Sequence, residues 1–205
     1  MICASVDVGS NSVLLTVCRW TGNSVVPLVE SSQVTGLGEG TRQSGLLTES
    51  GQVKTLAALA RAFAMAKEEG AEKVFAAGTM ALRIADNASE FTARAAKQGT
   101  PVEIISGEDE ARLGFRAVVD DPHFAGAMRI TIIDPGGQST EVVSGEPRRE
   151  NGTPDFQQSF PIGTLGIRGE IMKTEIRVRM NDFEAQSLLT RLSGPTSGPI
   201  RMVLS

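Results

Sequence analysis

"TIIDPGGQSTEVV", residues 131 to 143, sets an Asp at the end of an apolar run, then glycines, a Ser and a Glu before a second apolar run. The N-terminus carries nearly the same arrangement, "ASVDVGSNSVLLTV", from Ala4 to Val17. Asp7-Val8-Gly9-Ser10-Asn11-Ser12 aligns with Asp134-Pro135-Gly136-Gly137-Gln138-Ser139, both reading Asp-x-Gly-x-(Asn/Gln)-Ser. Each copy follows an apolar strand and precedes another, so each reads as strand, tight turn, strand. A repeat of this kind predicts two related domains. The expected division is 1–125 for the first and 126–205 for the second, the second copy being the shorter.

The residue types suit phosphate chemistry. An Asp at a strand end is held rigidly at the rim of a sheet and offers hard oxygen to Mg²⁺. Glycines let the backbone turn tightly and approach a ligand with no Cβ between. Successive N–H groups in such a turn form an anion-binding concavity, and the Ser adds a hydroxyl donor. Glu141 follows Asp134 on the returning strand, where a hairpin brings the two ends back together. Either turn alone is an ordinary Asp-Gly hairpin; the matched pair is the signal.

Outward from the first hairpin, "VVPLVESSQV" reads as a third strand, with Pro27 at an edge or bulge. "GLGEGTRQSGLLTES" is a glycine- and serine-rich loop long enough to be functional. Thr48 is a helix cap, and Leu56, Leu59, Phe63 and Ala66 repeat at helical spacing until Gly70 stops the helix. "KVFAAG" is a short buried strand. "NASEFTARAAKQG" is a helix capped by Asn87 and stopped by Gly99, and "VEIIS" is another strand. "GEDEARLGFRAVV" opens a helix with three acids. The helix dipole favours acids there, but a carboxylate at a strand end is also placed to take a proton from an attacking water. Arg83, in "AAGTMALR", stands near a strand end, where its planar fork suits phosphate. "DDPHFAG" is a linker. The order β-β-β-α-β-α-β-α predicts an α/β fold, a mixed sheet flanked by helices.

Bulk properties narrow the function. Of 205 residues, 40% are apolar, enough for a core. The net charge of −4 argues against a sequence-independent grip on nucleic acid, and no sequence-specific nucleic-acid partner is expected. No apolar stretch approaches the roughly 20 residues of a membrane span, and the start does not read as a signal peptide, so a cytoplasmic location is expected. Two cysteines, Cys3 and Cys18, are too few for a disulfide framework or a zinc site; they can face each other across the first hairpin. The single His, His123, sits in a loop-like setting and reads as a surface residue.

Together, "DVGSNSVLLTV", "AAGTMALRIADNASEF", "VEIISGEDEARLGF", "IIDPGGQSTEVV" and "SFPIGTLGI" resemble the exopolyphosphatase / guanosine pentaphosphate phosphatase family, in its order and spacing. The resemblance implies an actin-like fold: two ribonuclease-H-like domains, here with an incomplete second copy, and an active site between them. It implies Mg²⁺-dependent release of terminal phosphate from inorganic polyphosphate or guanosine pentaphosphate. Carried over by motif, Glu110 is the base that activates water, and Asp134 and Glu141 are the metal site. Asp7, Ser10, Asn11 and Ser12 line the first phosphate turn, Arg83 contacts phosphate, and Gly136, Gly137, Ser139 and Thr140 form the second turn.

Two departures open other readings. The family's second turn has a third glycine where this chain has Gln138, and Pro135 removes an N–H donor. The second domain is also short, ending after a Gly/Pro/Ser-rich stretch, Ser193 to Pro199, that reads as a turn or loose tail. A partner subunit, as in a homodimer, could cover the sheet face this leaves open. The alternative function is therefore a non-catalytic module that binds polyphosphate or an alarmone without turnover. A kinase or ATPase of the same superfamily ranks last.

Overall fold

The computed structural model describes residues 1–22, 24–124, 126–147, 154–164 and 202–204. The stretch Ser193–Pro199, read above as a turn, lies outside them. The chain divides into two compact units, Met1–Gly107 and Glu108–Ser205.

In the first unit, strands β1 (Ile2–Val8), β2 (Ser12–Trp20), β3 (Val25–Val34), β4 (Lys73–Gly78) and β5 (Glu103–Ile104) form one sheet in the order β3-β2-β1-β4-β5. The hairpin-connected strands β1, β2 and β3 pair antiparallel. The pairs β1–β4 and β4–β5 are parallel; helix α2 (Glu49–Glu68) leads from β3 into β4, and two helices lead from β4 into β5, the long connections parallel strands need. Pro27 lies on the edge strand β3, beside a register shift at Val17/Cys18, which is where a residue without an N–H is tolerated.

Alternation along the strands sorts their side chains. Ala4, Val6 and Val8 of β1 and Val13, Leu15 and Val17 of β2 point to the buried face. There they join Leu56, Leu59, Ala62 and Ala66 of helix α2 (Glu49–Glu68; the short α1 spans Thr41–Ser44) and Phe91. Each fully buried aliphatic side chain contributes roughly 1.5–3 kcal/mol.

The punctuation read from sequence holds at three of four places. Thr48 Oγ1 accepts a hydrogen bond from Gly51 N at 3.1 Å at the start of α2. Gly70 and Gly99, just past their helices, take φ of +77° and +85°, a conformation that favours glycine. Asn87 behaves differently. It precedes helix α4 (Ala88–Lys97), but its side chain makes no cap bond. Instead the amide pairs with the backbone of Leu47, accepting from its N at 2.9 Å and donating to its O at 3.1 Å. It ties the loop before α2 to the start of α4. A one-and-a-half-turn helix not read from sequence, α3 (Met80–Ile84), lies between β4 and α4.

Arg94 and Glu49 join α4 to α2 through two hydrogen bonds of 2.9 Å, and Arg94 also donates to Gln52 Oε1 at 2.9 Å. The Arg94 hydrogen bond, aided by its charge, lowers the Glu49 carboxyl below the usual carboxylate range. A depressed folded pKa stabilises above the unfolded value, about 4.3, and that contribution is lost as pH falls through the folded value. Glu49→Gln is expected to be slightly less stable than wild type above about pH 4.3, where that contribution is present, and to converge on wild type as pH falls below it, as read by urea unfolding at stepped pH.

In the second unit, β6 (Ile130–Pro135), β7 (Thr140–Gly145), β8 (Phe156–Phe160) and β9 (Met202–Leu204) form a sheet in the order β8-β7-β6-β9. β7 pairs antiparallel with both neighbours, and β6–β9 is parallel. This repeats the order and sense of β3-β2-β1-β4, so the internal repeat extends from the turns to the sheets.

The boundary expected after residue 125 falls instead at Gly107/Glu108. Helix α5 (Gly107–Val119) is the reason. Its Ala111 and Phe115, one turn apart, are buried with Ile130, Ile132 and Val143 of the second sheet. The helix that looked like the close of the first domain is the cover of the second. Phe115→Ala should destabilise that unit by about 3–5 kcal/mol, read by urea unfolding; a neutral effect would mean that α5 does not pack there.

Candidate functional site

Both predicted turns are built alike. In the first hairpin the last β1–β2 pair is Val8↔Val13, and Gly9 N donates to Ser12 O at 2.9 Å, leaving Ser10 and Asn11 as a two-residue loop. In the second the last pair is Pro135↔Thr140, leaving Gly136 and Ser139 around Gly137 and Gln138. A Cβ on Gly9 would stand 3.1 Å from Ser12 O, and one on Gly136 would stand 3.1 Å from Ser139 O. The same closeness recurs at the same place, and neither glycine has a positive φ. These glycines are needed for space rather than for handedness.

Each turn is braced by the segment after the third strand of its sheet. Asn11 O accepts from Thr35 N at 2.9 Å and Gly36 N at 3.0 Å, and Ser10 O accepts from Gly38 N at 2.7 Å. Holding these carbonyls fixes the peptide planes of the turn. Ser10 is buried, and Asn11 Nδ2 lies 3.3 Å from Ser12 Oγ. In the second unit Thr164 N donates to Gly136 O at 3.0 Å, and Thr140 Oγ1 donates to Ile162 O at 2.6 Å. Gly163 packs so tightly on the Gln138 backbone that a Cβ there would collide with it. The braces at 35–38 and 162–164 were not among the predicted site residues. Both lie in or next to stretches that the sequence marks, the glycine-rich loop "GLGEGTRQSGLLTES" and the family-like "SFPIGTLGI".

Register sets what each turn offers. Asp7 faces Leu14, and Leu14 faces Ser32. The equivalent row in the second sheet is Asp134, Glu141 and Ser159. The first hairpin therefore presents one carboxylate and the second presents two, directly opposite. Like charges so placed repel. Asp134 is exposed and Glu141 is buried. Ser159 Oγ donates to Glu141 Oε1 at 2.9 Å, while Glu141 Oε2 lies 3.9 Å from the place a Gly136 Cβ would take. Ser159 orients this carboxylate towards the turn, a role visible only once β8 is paired with β7.

Asp134 and Glu141 share a face with Ile130, Ile132 and Val143, because alternate residues of paired strands point the same way. That face carries α5. Of the three acids opening α5, Glu108 is exposed, and Asp109 is bound to Arg112 at 2.8 Å. Glu110 is half-buried, and its Oε2 is shielded from solvent. The dipole preference accounts for the first two; the inward one precedes Ala111, which packs on the carboxylate-bearing face.

Arg83, half-buried in the last turn of α3, donates from Nη1 to Ile105 O at 3.1 Å. It stands just beyond the end of β5. Thr79 completes this rim, with its N and Oγ1 lying 3.3 and 3.4 Å from Val8 O, the residue before Gly9. His123 is exposed, as read. Of the departures, Pro135 is the last residue of β6, and Gln138 is buried under the 162–164 brace. Among the described residues no group of three or more His, Cys, Asp or Glu is placed to hold a metal, and no helix is long and apolar enough to cross a membrane.

Two mixed sheets that share a four-strand order, each with an Asp-x-Gly turn joining its first two strands, define the actin-like, ribonuclease-H-like class. Within that class, the family model described as the Ppx/GppA phosphatase family matches residues 16–194, and the chain belongs to that family. It is similar to the solved Ppx/GppA family member of Aquifex aeolicus, with 29% identity and a TM-score of 0.70 over 94% of this chain and 60% of that one. It is also similar to an exopolyphosphatase from Cytophaga hutchinsonii, with 25% identity and a TM-score of 0.75 over 95% of this chain and 61% of that one. The ethanolamine utilization protein EutJ from Carboxydothermus hydrogenoformans shares the fold alone, at 15% identity and a TM-score of 0.50 over 85% of this chain and 58% of that one. The chain thus spans about 60% of the length of the solved relatives it matches.

Gly163→Ala is expected to force the brace off the second turn, with a loss of about 1–3 kcal/mol as for other overpacked sites. Thermal unfolding reads the loss, and faster amide exchange at Gly136–Thr140 than in wild type shows where it falls.

Proposed function

We propose that this protein is a phosphohydrolase that releases terminal phosphate from inorganic polyphosphate or guanosine pentaphosphate in the presence of Mg²⁺. The observation that carries the reading is the opposed pair Asp134 and Glu141 beside the Gly136 turn, on the sheet face that α5 covers.

The donor set fits Mg²⁺. Two directly opposed carboxylates call for a cation, and Mg²⁺ is commonly held by one or two carboxylates together with water and substrate phosphate. Asp134 and Glu141 would hold it, with Ser159 steadying Glu141. When bound, the ion would neutralise charge on the phosphate oxygens. The chain's own residues do the remaining work. Backbone N–H groups of the Gly136–Ser139 turn and of the Ser10–Asn11 loop would bind phosphate oxygens, helped by the hydroxyls of Ser10, Ser12 and Ser139, while the Thr140 hydroxyl, which donates to Ile162 O, would hold the second turn to its brace. Asn11 supports the first turn, Gly137 gives the second its close approach, and Asp7 stands at the rim of the first. Arg83 would add a planar cationic contact. Glu110 would accept the proton of the attacking water, and its partial burial suits a base kept from bulk solvent. Phosphoanhydride hydrolysis needs positioning and charge stabilisation more than covalent help.

The second reading, binding without turnover, is favoured by Gln138, whose side chain is buried in a turn where phosphate would approach backbone. Phosphate release from both substrates, with calorimetry alongside, separates the two. Under the first reading, wild type releases phosphate, chelation of Mg²⁺ abolishes release, and Glu110→Gln lowers turnover by about 10²–10⁴-fold with little change in binding. Equal turnover in Glu110→Gln removes Glu110 from its role. Tight polyphosphate binding by wild type with no release establishes the second reading.

A further inference from the structure

The chain has two cysteines, both free thiols of intermediate exposure, and they are direct register partners across β1 and β2. Ala4, Val6 and Val8 take the buried side of β1, so Cys3 takes the other face of the sheet. Trp20 N donates to Met1 O at 2.9 Å at one end of the ladder, and Gly9 N donates to Ser12 O at 2.9 Å at the other. That alternation makes Cys3–Cys18 a hydrogen-bonded pair, whose Cα atoms lie about 5.5 Å apart. Disulfides span Cα separations of roughly 4.4–6.8 Å. The Cβ atoms of such a pair lie near 5.5 Å, wider than the ~3.8 Å a disulfide prefers. A bond here draws the strands together slightly, and strain of that kind makes a disulfide easy to reduce.

We propose that Cys3 and Cys18 form a reversible dithiol–disulfide site, oxidised by a small-molecule disulfide. It is independent of the phosphate chemistry. The Cys3 thiolate attacks one sulfur of the oxidant, whose S–S bond breaks; one thiol leaves and takes up the proton Cys3 lost. The Cys18 thiolate then attacks the Cys3 sulfur of the mixed disulfide, and the second thiol leaves with the Cys18 proton. Two hydrogens and two electrons pass from the protein to the oxidant. The order follows from surroundings: burial, then the charge of Glu30, then Cys3 itself, hold the Cys18 thiol above its ordinary range. A thiol kept protonated is a poor first nucleophile and serves as the resolving one. The bond would tie the hairpin six residues, roughly 20 Å, from the Gly9 turn.

The test treats the full chain with graded ratios of oxidised to reduced glutathione and reads intact mass and non-reduced peptide maps. Wild type is expected to lose two hydrogens as a monomer and to yield one cross-linked peptide holding both cysteines, reversed by dithiothreitol. Cys3→Ser and Cys18→Ser should each stop at a glutathione adduct on the remaining cysteine. The equilibrium constant for closure should be about tenfold or more higher in the folded chain than in urea, because the fold raises the effective concentration of one thiol beside the other. Glutathione adducts on both cysteines without closure, cross-linked dimers in place of the monomeric bond, or closure no more favourable in the folded chain would each overturn the proposal.

Discussion

Much of this structure follows from how closely two backbone segments approach at Gly9 and Gly136. In each hairpin the place of a Cβ lies 3.1 Å from the carbonyl of the Ser three residues on, tighter than most real side chains tolerate. The close approach is compatible with a two-residue loop, and a two-residue loop allows one register. Register then determines every cross-strand neighbour. Moving either strand by one residue would send Val6 and Val8, or Ile130 and Ile132, to the opposite face, so burial of those side chains and closure of the turns support the same pairing.

The duplicated scaffold carries unequal chemistry. The equivalent rows are Asp7–Leu14–Ser32 and Asp134–Glu141–Ser159. One apolar residue in the first sheet is replaced by a carboxylate in the second; under the proposed function, that exchange would separate a turn that binds phosphate from one that also holds a cation. α5 sharpens the difference. Its Ala111 and Phe115 cover the face on which the second pair of carboxylates stands, and Glu110, beside Ala111 in the chain, has its Oε2 shielded from solvent.

Several parts of this arrangement were legible in the sequence because short-range chemistry specifies them. The Asp-x-Gly turns, the strands around them, the Thr48 cap and the glycine stops at Gly70 and Gly99 depend on a few adjacent residues. Asn87 shows the limit of such reading. Its type and position suit a cap, but Leu47, forty residues earlier in the chain, offers both a donor and an acceptor, and the amide pairs there. The helix α5 shows the same limit at the level of domains: its position in the chain follows β5, but its apolar spacing fits the second sheet.

What the sequence alone determined is the pair of turns, the strands and longer helices from the N-terminus to the second turn, and the acids near the turns, because glycine placement, apolar alternation and capping act over a few residues. Only the tertiary structure decided that Ser159 holds Glu141, that Gly163 seals the second turn over Gln138, and that α5 belongs to the second unit. Those contacts join segments far apart in the chain, and their geometry exists only after hydrophobic burial and strand pairing have brought the segments together.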